Sequence, residues 1–195
     1  MKDGTAGYEK DLERLVQRLE AMPFEALHRE VLPLFPPPPA LILDVGSGSG
    51  RDAAAFAALG YDVIAVEPAT ALRERAYQLH PSPRILWIDD DLPDLLSLYE
   101  TFDVVMLTAV WMHLTLEERP RGMQRIASLL KPGGLACFTL RNGPVPERRR
   151  MFAVSAADTI GLAEAAGLTP IVHLENQVAV TGNPGVTWTR LAFRK

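Results

Sequence analysis

A single cysteine, Cys137, stands among 195 residues, so no disulfide can form within the chain. The fold must rest on a core and not on staples. Long apolar runs are missing too. The longest, at 104–114, is about half of the ~20 residues that a bilayer-spanning helix needs. The first residues, MKDGTAGYEKDLERL, contain no apolar signal core. Neither sign of charge dominates: 20 Lys and Arg against 24 Asp and Glu leave a net charge of −4. No basic stripe is present, which argues against a nucleic-acid backbone as partner. The four histidines, His28, His80, His113 and His173, are scattered singly, without the spacing of a metal site. These absences describe a cytoplasmic protein, monomer or homodimer, with neither a membrane nor nucleic acid as partner.

What is present is ordinary for a globular chain: 48% hydrophobic and 23% charged residues. The length fits one domain, 1–195, which would bury roughly 70% of its unfolded surface. Leu12, Leu15, Val16, Leu19 and Met22 recur at helical spacing, predicting an amphipathic helix over 9–22. A second helix follows Pro23, with Phe24, Leu27, Val31 and Leu32 on one side. The four prolines at 36–39 cannot continue a helix and make a stiff connector. Residues 1–38 thus form a helical cover, joined to a core at 40–195.

In that core, short apolar runs alternate with helical stretches. Strands are expected at 40–45, 62–67, 84–88, 102–107, 134–140, 170–175 and 187–193. Helices are expected at 51–59, 70–79, 92–100 and around 122–130. This alternation predicts an α/β fold with a parallel sheet covered on both faces. Thr115 and Glu118 form a capping-box pattern, yet Pro120 disfavours a helix that spans it. A short turn at 115–119 is expected, with the main helix starting near Pro120. The TGNPG stretch at 181–185 leaves no room for a helix, so the last two strands should pair as an antiparallel hairpin.

The most informative segment is LILDVGSGSGRDAAAF. A buried strand runs into Gly46, Ser47, Gly48, Ser49 and Gly50, and a helix begins near Arg51. Glycines let the backbone turn tightly and let a ligand approach. A phosphate-binding P-loop needs Lys and Ser or Thr after its last glycine, and Arg51-Asp52 stands there. The dinucleotide fingerprint fails because Arg51 occupies the place of its third glycine. Asp44 precedes the loop by two residues; it would repel a pyrophosphate but suits a ligand with an ammonium and a sulfonium. Glu67 ends the second strand 17 residues past Gly50, near where a carboxylate meets ribose hydroxyls. Asp89, Asp90 and Asp91 end the third strand, and the fourth runs into TAVWMHL. All lie at the carboxyl ends of strands, where open α/β sheets bind ligands.

DVGSGSG, followed by VIAVEP, IDDDLP, FDVVMLTAVWMHL and LLKPGGLACFTL, resembles the class I S-adenosylmethionine-dependent methyltransferase family over residues 40–143. The resemblance implies a Rossmann-like, doubly wound sheet of seven strands in the order 3-2-1-4-5-7-6. Strand 7 is antiparallel, and helices lie on both faces. It implies S-adenosyl-L-methionine as cofactor, with Asp44, Gly46, Ser47 and Gly48 around its methionine part. Glu67 would take the ribose hydroxyls, Pro68 lie against adenine, and Asp89 or Asp90 meet the adenine amino group. Ala109 would approach the cofactor through its backbone, and Tyr8 would close over it. His113 is the candidate general base; the competing reading is a packed residue. Arg148, Arg149 and Arg150 are read as a solvated face or as a carboxylate site. No Asn/Asp-Pro-Pro-aromatic motif follows the fourth strand, and 195 residues leave no room for a target-recognition domain. A small-molecule acceptor is therefore expected. The alternatives are a methyltransferase acting on protein or RNA, a non-catalytic S-adenosylmethionine-binding protein, or an NAD oxidoreductase.

Overall fold

The computed structural model describes residues 12–145, 150–178 and 185–195. Seven strands form one sheet: β1 (Leu41–Val45), β2 (Asp62–Val66), β3 (Ile85–Ile88), β4 (Phe102–Thr108), β5 (Leu130–Asn142), β6 (Thr169–Val178) and β7 (Thr187–Arg194). Their order is β3-β2-β1-β4-β5-β7-β6. The pairs among β1 to β5 are parallel, while β7 is antiparallel to both β5 and β6. Among the described residues, six α-helices surround the sheet: α1 (Leu12–Glu20), α2 (Phe24–His28), α3 (Arg51–Ala58), α4 (Thr70–Leu79), α5 (Glu118–Leu129) and α6 (Ala156–Ala165).

Strand alternation divides the core in two. Leu43, Val45, Val105, Leu107, Ala136 and Phe138 face α5 and α6 with Met123, Ile126 and Ala163. Ile42, Val63, Ala65, Val104, Met106 and Cys137 face the other way, against Phe24, Ala53 and Phe56 of α2 and α3. The strands between are apolar on both faces because both are covered. Among the described residues no helix is long and apolar enough to cross a membrane.

One expected helix is absent. Residues 92–100 form turns. The Asp90 carboxylate accepts from the Asp91 and Ser97 amides at 2.8 and 2.7 Å, and Leu95 takes a φ of 46°. The Arg125 guanidinium donates to the carbonyls of Asp94, Leu95 and Leu98 at 3.0, 2.9 and 2.7 Å. Carbonyls and amides that a helix would pair with each other are captured by side chains. The buried Leu95 and Leu98 still reach the core. The capping box of Thr115 and Glu118 does form, with reciprocal bonds of 2.7 and 3.2 Å. α5 starts at Glu118, so Pro120 falls in its first turn, where the missing N–H costs little. Helix α6, which the sequence pattern did not single out, is capped by Ser155 accepting from the Asp158 amide. The KPGG segment, 131–134, lies within β5 and not in a turn before it.

Candidate functional site

The loop after β1 is built from backbone that glycine tolerates best. Gly46, Gly48 and Gly50 have φ of 66°, 61° and 85°, the left-handed region that costs other residues roughly 1–2 kcal/mol. A Cβ on Gly46 would stand 2.6 Å from Cγ2 of Val110, and one on Gly50 would stand 2.4 Å from the Trp87 ring. The loop is tied to the end of β2 by two adjacent amides, since the Ser47 amide donates to the Val66 carbonyl at 2.9 Å and the Gly48 amide to Glu67 Oε2 at 3.0 Å.

Glu67 is 6% exposed. Its other oxygen accepts from the Ala69 amide at 2.9 Å. Burial pushes its carboxyl up to about 7 against the pull of these two amides. Glu67 therefore clamps the glycine loop to the end of β2. Asp44 is 1% exposed, and its Oδ2 has no hydrogen-bond partner. Burial raises its carboxyl well above the usual range, and the carboxylates of Asp52 and Glu67 add to the effect. The Ser47 and Thr108 hydroxyls are likewise buried without partners. Three unmet polar groups around one glycine loop are costly in a folded chain, and they fit a ligand that brings donors and positive charge.

Residues 42–134 match the sequence model of the methyltransferase-domain family. Over that segment, a little under half of its length, the chain resembles the class I S-adenosylmethionine-dependent methyltransferases. It is 32% identical over 97 residues to an uncharacterized methyltransferase of Oceanobacillus iheyensis, a match covering 50% of this chain and 45% of that protein. It is 34% identical over 114 residues to the biotin biosynthesis bifunctional protein BioHC of Cellvibrio japonicus, covering 57% of this chain and 22% of that one. The chain thus spans less than half the length of these curated relatives. Two solved structures share the fold. A 1,6-didemethyltoxoflavin-N1-methyltransferase of Burkholderia thailandensis, solved with S-adenosylhomocysteine, superposes with a TM-score of 0.71 at 21% identity, over 98% of this chain and 84% of that one. A TehB-like methyltransferase of Corynebacterium glutamicum gives 0.72 at 22% identity, over 96% of both chains.

The remaining expected positions that the structure describes lie at the carboxyl ends of the strands. Pro68 is half-buried beside Glu67. Asp89 is exposed, with the Arg73 guanidinium 3.5 Å away, whereas both oxygens of Asp90 hold backbone amides. Of the two, Asp89 is exposed beside Arg73 and Asp90 organises the 91–97 loop. Ala109 has a φ of 60°, and its amide donates to Thr139 Oγ1 at 2.8 Å. Such strain in a non-glycine residue persists only where its surroundings hold it. Tyr8, Arg148 and Arg149 lie outside the described residues.

His113 closes a short 3₁₀ turn, Trp111–His113. Its Nδ1 donates to the Arg150 carbonyl at 2.6 Å, and the Arg150 guanidinium donates back to the His113 carbonyl at 3.2 Å. Arg150 also pairs with Glu118 at 3.1 Å. The Phe152 amide reaches the Met112 carbonyl at 2.8 Å, and Arg119 donates to the Ala153 carbonyl at 2.8 Å. Residues 150–153 are thereby strapped across the loop that follows β4. Trp111 is core, fully buried with its ring edge-on to Phe138 at 5.3 Å.

Sequence reading missed the buried cluster beneath the loop. His28 Nε2 lies 2.9 Å from Asp52 Oδ2, and Arg51 pairs with Asp52 Oδ1 at 2.7 Å. Arg51 also donates to the Leu19 carbonyl at 2.9 Å. Burial raises the Asp52 carboxyl, but the His28 hydrogen bond and the charges of His28 and Arg51 outweigh it and leave a net lowering. The only local signal was a charged pair directly after Gly50, since His28 arrives from 24 residues away.

Proposed function

We propose that this chain transfers a methyl group from S-adenosyl-L-methionine to a small-molecule acceptor, at the carboxyl ends of β1, β2, β3 and β4. The observation that carries this reading is the set of buried, unpartnered acceptors, Asp44 Oδ2 with the Ser47 and Thr108 hydroxyls, beside three glycines at positive φ. Asp44 would hold the ammonium of the methionine part. Glu67 keeps lone pairs for two ribose hydroxyls after binding its two amides. Pro68 would border adenine, and Asp89 would take its amino group. Ala109 would present backbone to the cofactor, and Tyr8 would add to the cover that α1 and α2 begin.

The bound cofactor supplies an electrophilic methyl on a sulfonium. The protein's task is alignment, which can lower a barrier by about 7–11 kcal/mol in the best cases. No described carboxylate needs to touch the sulfur, and contact there would stabilise the ground state over the transition state. His113, whose Nδ1 is spent on the Arg150 carbonyl, is best read as a residue that holds the strap. The single cysteine supports a reducing, cytoplasmic setting.

Calorimetry with S-adenosylhomocysteine and with NAD tests the cofactor. Labelled methyl donor incubated with metabolite, protein and RNA fractions tests the acceptor class. S-adenosylhomocysteine should bind, NAD should not, and label should enter the metabolite fraction. Binding of NAD alone, or label entering only protein or RNA, overturns the proposal.

A further inference from the structure

Resting on that reading, we infer that Arg141 is the specificity residue for the acceptor, binding a carboxylate on a small anionic substrate. Strand register places it. Thr108 pairs with Thr139, Thr139 with Arg190, and Arg141 with Trp188. Directly opposed residues share a face, as do residues two apart on a strand. Thr108, Thr139 and Arg190 therefore form one row on the face that bears Asp44, and Arg141 and Trp188 form the next row outward. The Thr139 hydroxyl takes the Ala109 amide, so the first row borders the end of β4. Arg141 lies one step beyond it, on the side away from the ribose carboxylate on β2.

Charge accounting isolates this residue. Among the described residues, Arg141, Arg150 and Arg190 lie around this end of the sheet. Arg190 is neutralised by Glu30, 2.5 Å from its Nη1, and Arg150 is neutralised by Glu118. Arg141 donates from Nη1 to the Pro144 carbonyl at 2.8 Å and touches Met151 Sδ at 4.0 Å. It pairs with no described carboxylate. Its Nε and Nη2 edge has the fork geometry that a carboxylate engages through two parallel bonds. Among the described residues, this one positive charge without a carboxylate matches one negative charge, which favours a carboxylate over a doubly charged phosphate. Met151 belongs to the strap that His113 and Arg119 fasten, so the guanidinium is held between that strap and the sheet.

The test uses the full chain saturated with S-adenosylhomocysteine. Acetate, glycine and benzoate are titrated against acetamide, glycinamide and benzamide, with binding read by saturation-transfer NMR and calorimetry. At least one carboxylate should bind roughly tenfold or more tightly than its amide, the scale of a charge-assisted hydrogen bond. Arg141→Leu should erase that preference, Arg141→Lys should keep part of it, and S-adenosylhomocysteine affinity should hold in both. The inference is overturned if no carboxylate outcompetes its amide, or if the preference survives in Arg141→Leu. A lower melting temperature with discrimination intact makes Arg141 a structural clasp only. Lost S-adenosylhomocysteine affinity in Arg141→Leu moves the residue to the cofactor end, and phenyl phosphate binding in preference to benzoate overturns the carboxylate assignment. Failure of the unaltered protein to bind S-adenosylhomocysteine would instead sink the methyltransferase reading, and this inference with it.

Discussion

If Glu67 takes the ribose hydroxyls as proposed, cofactor affinity should depend on pH, with a sign that its burial dictates. Burial lifts its carboxyl from the ordinary 4.5 to about 7, so the ligand-free protein retains a proton that the unfolded chain has lost. Between about pH 4.5 and 7 the native state holds more protons than the unfolded state, and stability from this group falls as pH rises. A shift of this size corresponds to roughly 3 kcal/mol lost above pH 7. A ligand whose hydroxyls donate to Glu67 favours the charged form and lowers its pKa. Affinity for S-adenosylhomocysteine should therefore rise with pH up to about 7, and weaken roughly tenfold per unit below it. Calorimetry from pH 5.5 to 8, in buffers of differing ionisation enthalpy, should show a proton released on binding near pH 6. Glu67→Gln should flatten the profile, and should also cost about 1–3 kcal/mol of stability, because a carboxamide cannot accept from both the Gly48 and Ala69 amides through two oxygens. Affinity that is flat across this range, or a slope that persists in Glu67→Gln, would refute the reasoning.

Gly46→Ala should abolish S-adenosylhomocysteine binding and lower the melting temperature, since φ is 66° and the new Cβ would meet Val110 at 2.6 Å; normal binding in calorimetry would remove the loop from the site. His28→Ala should cost about 3 kcal/mol in urea unfolding, because it strips a partner from the buried Asp52 carboxylate. A loss below about 0.5 kcal/mol, typical of an inert surface change, would show that the cluster does not hold the cover to the loop. His113→Ala should lower stability by about 1 kcal/mol through the lost Arg150 contact, with turnover reduced less than tenfold. A folded, cofactor-saturated variant slowed a hundredfold or more would restore His113 as a general base.

The sequence by itself determined whatever depends on local pattern. Alternation of apolar runs with helical stretches placed the strands, and the TGNPG stretch placed the antiparallel hairpin. Glycines at 46, 48 and 50 marked the loop, because no other residue enters the left-handed region so cheaply. Asp44 and Glu67 could be placed beside the loop from sequence because each sits at the carboxyl end of a strand. Only the tertiary structure decided what depends on partners far along the chain. Residues 92–100 have a helical pattern, but Arg125 and Asp90 take their backbone groups. Asp89 and Asp90 are adjacent and chemically identical. One faces outward and the other binds the amides of residues 91 and 97, a difference no local rule contains. His28 meets Asp52, and among the described residues Arg141 goes without a carboxylate while Arg150 and Arg190 have theirs, because the packing of distant elements sets which charges meet. Local sequence selects backbone conformation; burial and charge compensation are properties of the assembled chain.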